Sequence, residues 1–343
     1  MIKAQIPEIK DLLRRPQSIV IVPHKNPDGD AMGSTLGLYH YLKAYSHDAT
    51  VIAPNDYPDF LKWLPGNDSV VIFENQAEES QALIDKADLI FTLDFNAFHR
   101  AGGMAKSLEQ SDCTKIMIDH HQQPDDYANY TYSDVRMSST CEMVYNFIDM
   151  LGDANEITSN MATCLYVGIM TDTGSFRFPS TTSRTHEVIS HLIAKGANNA
   201  QIHNNVFDTN SYSRIQLLGR AMQNLKVIPE LGTAYITLSQ GELDEFNFKK
   251  GDTEGFVNYG LSLKGIIFAA MFTENKQENI IKISFRSKGS FSVNQFSRSH
   301  FNGGGHDNAA GGRSEDNLEA TIDKFISILP QYKEELSQAL KEH

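Results

Sequence analysis

The sequence predicts an α/β protein in two parts: a parallel sheet with helices on both faces (the first domain), joined to a smaller α+β domain. Three observations carry this. Short continuous apolar runs alternate with helical patterns up to residue 118, the pattern becomes purely helical from 141 to 224, and strands return after 226. A chain of 343 residues also exceeds the roughly 250–300 at which a single core stops growing.

Residues 18–22 (SIVIV), 50–53, 70–73, 88–93 (DLIFTL) and 115–118 (KIMI) read as buried strands, because their apolar character is continuous rather than alternating. Between them, residues 31–44, 77–86 and 102–109 read as helices or helical connections. Four stretches follow with apolar residues at three- and four-residue spacing: 141–150, 159–171, 184–195 and 212–224. The segment VIPELG breaks that pattern, so a boundary is expected near 224–230, with domains at 1–225 and 230–343. Strands at 234–238, 265–272 and 279–285, a glycine-rich stretch NGGGHDNAAGG, and a terminal helix from about Leu318 complete the chain.

Composition narrows the function classes. Hydrophobic residues make up 41%, which is enough to bury a large core and excludes disorder as the main state. Lys and Arg number 30 against 43 Asp and Glu, a net charge of −13, which disfavours coating long or duplex nucleic acid. Three cysteines, Cys113, Cys141 and Cys164, lack metal-site spacing and read as reduced thiols of a cytoplasmic protein. The N-terminal residues lack a leader-like apolar stretch, and no run approaches the roughly 18 apolar residues that span a bilayer, so no membrane association is expected. A homodimer is compatible with the sequence.

In a parallel sheet, ligands bind beyond the carboxyl ends of the strands. Strand 18–22 runs into Pro23-His24-Lys25-Asn26-Pro27-Asp28-Gly29-Asp30, strand 88–93 into Asp94, and strand 115–118 into Asp119-His120-His121. The helix 159–171 ends at Asp172-Thr173-Gly174. Crowded carboxylates repel one another, so a cation must offset their charge. Mixed Asp and His ligands suit Mn²⁺, Zn²⁺ or Fe²⁺. His24, Asp28, Asp30, Asp94, His120 and Asp172 are too many for one tetrahedral ion and suit two ions that share a bridging carboxylate, an arrangement used in phosphate-ester hydrolysis.

His24–Ser34 (HKNPDGDAMGS), Asp94, Asp119-His120-His121 and 168–178 (GIMTDTGSFRF), in that order, resemble the four motifs of the DHH phosphoesterases. Asn302-Gly303-Gly304-Gly305-His306 with Ala309-Ala310-Gly311-Gly312 resembles the glycine-rich signature of the DHHA1 domain. The similarity runs from about Ile19 to Arg313, and within the family the stand-alone oligoribonuclease and pAp-phosphatase subgroup is nearest.

The resemblance implies two divalent metal ions, with Mn²⁺ expected. His24, Asp28 and Asp94 would hold one, and Asp30, Asp94, His120 and Asp172 the other, Asp94 bridging. His121 would contact substrate phosphate, and Asp119 would orient a histidine. On the substrate side, Gly303, Gly304, Gly305 and His306 are expected to cradle an anion through unshielded N–H groups, and Arg286 to bind phosphate. Arg100 receives no catalytic role.

The expected activity is metal-dependent hydrolysis of short oligoribonucleotides to mononucleotides and of pAp to AMP. The runner-up is another small phosphate substrate: pyrophosphate, polyphosphate, or a cyclic or linear dinucleotide. A non-catalytic nucleotide-binding protein is the reading from a different class, and the full set of apparent ligands speaks against it.

Overall fold

The apolar runs of the first half become six strands of one sheet in the computed structural model, which describes residues 2–342. They are β1 (Ser18–Val22), β2 (Asp48–Ala53), β3 (Val71–Ile72), β4 (Leu89–Leu93), β5 (Thr114–Asp119) and β6 (Tyr130–Ser133). Their order is β3-β2-β1-β4-β5-β6, and every neighbouring pair is parallel. Strand order reverses between β1 and β4, the place where such sheets bind ligands beyond their carboxyl ends.

Both faces of this sheet are covered, as continuous apolar strands require. Ile19 and Ile21 of β1 join a core with Met32, Leu36, Val144, Phe147 and Leu165, from three helices on one side. Val20 and Val22 point the other way, into a smaller core with Ile84, Phe95, Met104 and Leu108.

The three helices are Gly29–Ala44, Thr140–Met150 and Ser159–Asp172. The first and third approach closely because glycine lines the contact. A Cβ on Gly33 would lie 2.5 Å from the Cys164 carbonyl oxygen, and one on Gly168 would lie 3.0 Å from the Asp30 Cα. Residues 102–109 are tighter than expected at their start: a 3₁₀ segment Phe98–Met104 precedes the helix Ala105–Gln110.

The second sheet has the order β11-β12-β10-β9-β8-β7. Its strands are β7 (Lys226–Ile228), β8 (Thr233–Leu238), β9 (Phe268–Asn275), β10 (Ile280–Ser287), β11 (Gly304–His306) and β12 (Ala309–Ser314). Only β8 and β9 pair in parallel. One face carries a phenylalanine-rich core with Phe268, Phe272, Phe285, Phe296 and Phe325. The expected single terminal helix is two, Leu318–Ile328 and Lys333–Glu342, separated by a 3₁₀ turn that contains Pro330.

The chain divides into two compact units, the first ending at Thr209 and the second beginning at Asn210. The division precedes the helix Tyr212–Gln223, whereas the sequence boundary was set after it, at 224–230. The reason is packing: Leu217 and Ala221 of this helix bury against Ile236, Leu238, Ala269 and Met271 of the second sheet. Among the described residues, no helix is long and apolar enough to cross a membrane.

Candidate metal centre

The carboxyl edge of the first sheet gathers the acidic and histidine residues of all four motifs. His24 follows β1 after Pro23, and its Nε2 lies 3.4 Å from Asp94 Oδ2 and 3.9 Å from Asp28 Oδ2. Asp28 also caps the helix Gly29–Ala44: its Oδ1 accepts from the backbone N–H of Asp30 at 3.0 Å and of Ala31 at 3.1 Å. One carboxylate therefore serves the helix with one oxygen and faces His24 with the other.

Asp30 is fully buried, and the N-terminus of the helix Thr140–Met150 holds its carboxylate. The Thr140 N–H donates to Oδ2 at 2.6 Å and the Cys141 N–H to Oδ1 at 2.8 Å. Asp94 follows β4 with a left-handed φ of 63°, unusual for a residue with a side chain. Its Oδ1 accepts from Thr140 Oγ1 at 3.0 Å. Sequence reading missed Thr140; the only signal was a Ser-Ser-Thr run just before a helical pattern.

His120 Nε2 lies 3.7 Å from Asp30 Oδ2, 3.6 Å from Asp94 Oδ1 and 3.5 Å from Asp172 Oδ2. Among groups made wholly of first-unit residues, three sets of potential ligand atoms each lie within 4.8 Å of one another: His24, Asp28 and Asp94; Asp30, His120 and Asp172; and Asp94, Asp119 and His121. The first two, joined by Asp94 beside His120, place together all six residues named from sequence.

The imidazole partners suit cation binding. Nδ1 of His24 donates to the Lys25 carbonyl at 2.8 Å, and Nδ1 of His120 to the Met137 carbonyl at 3.2 Å, since a carbonyl can only accept. Each ring thus keeps the Nε2 lone pair for a metal. His121 donates from Nδ1 to Asp119 Oδ1 at 2.7 Å, and its backbone N–H reaches Asp119 Oδ2 at 3.1 Å. The histidine that Asp119 orients is therefore His121.

Charge is concentrated here and protons partly offset it. Burial pushes the Asp30 carboxyl well above its usual range, and Asp94 and Asp172 add to the effect. Burial disfavours charge on His120, yet Asp172, Asp30 and Asp94 push it up to about 9. For His24, burial is likewise outweighed by the Asp94 hydrogen bond and the charges of Asp28 and Asp94, so its pKa is raised. Asp94 is buried, but the His24 hydrogen bond and the surrounding imidazoles hold it below the ordinary range. His121 is lowered, chiefly by burial. Divalent cations can replace the protons such a cluster holds.

In the second unit, Arg286 lies on β10 and one guanidinium N–H donates to the Phe285 carbonyl at 2.9 Å. The glycine-rich stretch includes two paired strands. Gly304–His306 is β11, an edge strand in which Gly304, Gly305 and His306 face Gly311, Ala310 and Ala309 of β12. The Gly305 N–H donates to Asn294 Oδ1 at 3.2 Å, so that donor is already engaged. Glycine is required for backbone packing: a Cβ on Gly303 would lie 1.9 Å from the Gly311 carbonyl oxygen, and Gly305 has a φ of 149°.

A doubly covered parallel sheet with a carboxylate–imidazole site at its switch point, followed by a mixed-sheet unit, defines the class: the chain belongs to the DHH/DHHA1 family of phosphoesterases. Residues 18–169 match the DHH family, N-terminal domain, and residues 232–335 match the DHHA1 domain. Among curated relatives, it is 31% identical to the bifunctional oligoribonuclease and PAP phosphatase NrnA of Thermus thermophilus, over 94% of this chain and 91% of that protein. It is 27% identical to the protein of the same description from Bacillus subtilis, over 86% and 88%. A solved structure described as an exopolyphosphatase-related protein from Bacteroides fragilis is 40% identical, with a TM-score of 0.93 over 98% of both chains.

Proposed function

We propose that the protein is a two-metal phosphoesterase that releases mononucleotides from very short RNA and removes the 3′-phosphate of pAp. The observation that carries this is the pair of ligand sets, His24/Asp28/Asp94 and Asp30/His120/Asp172, at the switch point of the sheet. His24, Asp28 and Asp94 would hold one ion, and Asp30, Asp94, His120 and Asp172 the other. When bound, divalent ions, Mn²⁺ foremost, supply an acidified water molecule and positive charge for the phosphoryl oxygens.

The chain's own residues do the rest. The Thr140 hydroxyl and the His24 ring fix the two oxygens of Asp94. His121, its ring oriented through the Nδ1–H it donates to Asp119, contacts substrate phosphate. Cys141 and Cys164 are buried with thiols pushed up by that burial, so neither serves as a nucleophile. In the second unit, Arg286 and the Gly303–Gly304–Gly305–His306 segment are the candidates for binding phosphate.

The substrate assignment is supported by the description of the curated relatives above and by a charge of −13, which disfavours long polyanions. The runner-up, a small inorganic or dinucleotide phosphate, is favoured by the description of the 40% identical solved structure. Rates on pAp, pyrophosphate, cyclic di-AMP and an RNA ladder from about two to twenty nucleotides decide between them. The proposal expects pAp and RNA of about two to five nucleotides to be preferred. Rates that stay flat or rise with length would reject it, and activity confined to pyrophosphate would establish the runner-up.

A further inference from the structure

Two cations stand beside the acidic site without an anionic partner. Lys25 is exposed and Arg100 half-buried, and among the described residues neither side chain makes a hydrogen bond or ion pair. In a chain with excess carboxylates, unpaired cations next to a cluster of aspartates are unexpected, since nearby carboxylates would ordinarily recruit them.

Their placement is built rather than incidental. The Lys25 N–H donates to the Arg100 carbonyl at 2.6 Å, tying the loop after β1 to the 3₁₀ segment after β4. Gly102, with φ 57° and ψ −127°, supplies a backbone turn that only glycine adopts readily. A Cβ there would lie 2.8 Å from Lys25 Cδ, so the lysine stem is packed along the glycine. Asn26, itself at φ 57°, is clasped by the buried Asn55: its N–H donates to Asn55 Oδ1 at 2.7 Å, and Asn55 Nδ2 donates back to Asn26 Oδ1 at 3.0 Å. The loop that carries Lys25 is thereby fixed on both flanks. The Arg100 charge acts on both His24 and His121.

We propose that Lys25 and Arg100 form a phosphate subsite of the first unit, binding phosphoryl oxygens of the substrate beside the His24/Asp28/Asp94 set. The inference rests on the phosphoesterase reading and deepens it. It assigns a substrate role to Arg100, for which sequence reading gave none. An anion entering here meets two cations on a loop and a turn that are held in place, and the subsite offsets the repulsion an acidic protein exerts on its substrate.

The test uses the Mn²⁺-loaded protein and the variants Arg100→Gln, Arg100→Lys and Lys25→Gln. Calorimetric titration with AMP and with inorganic phosphate, at several salt concentrations, reads binding directly. Arg100→Gln should weaken both ligands about tenfold to hundredfold, with Arg100→Lys recovering part of the loss. The slope of log affinity against log salt should fall by about one for each cation removed. Metal content and melting temperature should stay at wild-type values. Metal content that falls together with ligand affinity would overturn the proposal, because Arg100 would then be shaping the ligand loops. An unchanged affinity and salt slope in both Gln variants would overturn it as well. If the wild-type protein hydrolyses neither pAp nor short RNA, the substrate assignment fails, while the inorganic phosphate titration still decides the subsite.

Discussion

Asp94 contacts His24, His120 and Thr140, and in the proposed two-metal reading it is shared by both ligand sets. Asp94→Ala should reduce turnover nearly to background, with metal stoichiometry falling in parallel. Turnover and metal content like those of the wild type would remove the bridge from the mechanism. Protonation gives a second expectation at this scale. His120 is raised to about 9, above the ordinary value of about 6.5, so its contribution to folding is full below pH 6.5 and is lost as pH rises toward 9. The raised Asp30 carboxyl acts in the same direction, because the folded state again holds the extra proton. Melting temperatures of metal-stripped protein should therefore fall between pH 6.5 and 9. Added Mn²⁺ should stabilise more at the upper end, where no proton competes for the ligands. A melting temperature that climbs over this range in the stripped protein would contradict the charge arrangement.

At the scale of single elements, helix termini do the positioning. Asp28 has two jobs that substitution can separate. Asparagine caps a helix about as well as aspartate, so Asp28→Asn should leave thermal stability near wild type while lowering metal occupancy. Asp28→Ala should lose both, at a stability cost of about 1 kcal/mol. Equal thermal destabilisation by both variants would show that the cap does not operate. What the sequence could reveal follows the same physics. β1, β2, β4 and β5 were legible because buried parallel strands are continuous apolar runs. β6, Tyr-Thr-Tyr-Ser, was missed because a half-buried edge strand has no such run. The six proposed ligands were legible because each follows a strand or ends a helix. Thr140 and the proposed roles of Lys25 and Arg100 were not, since they come from contacts between distant segments. The strand pairing of the glycine-rich stretch was not legible, because glycine marks a loop and a tightly packed strand pair equally well.

For the molecule as a whole, the two units carry separate apolar cores, and the helix Tyr212–Gln223 belongs to the second. A fragment of residues 210–343 should therefore unfold cooperatively in urea. One beginning at 225 should be less stable by a few kcal/mol, because deleting Leu217 and Ala221 uncovers the core beside Ile236 and Met271. Equal urea midpoints for the two fragments would move the boundary back to the position read from sequence.

The left-handed backbone at Asp94 sets stability and turnover against each other. A side chain in that region costs about 1 kcal/mol or more, a cost that glycine escapes and asparagine partly avoids. Two pools of position-94 variants, propagated under different selection, should therefore diverge. Selection for soluble, folded protein alone should drift toward glycine or asparagine, and selection for phosphate release should retain aspartate. The position is one where a consensus built for thermostability would design the catalyst away.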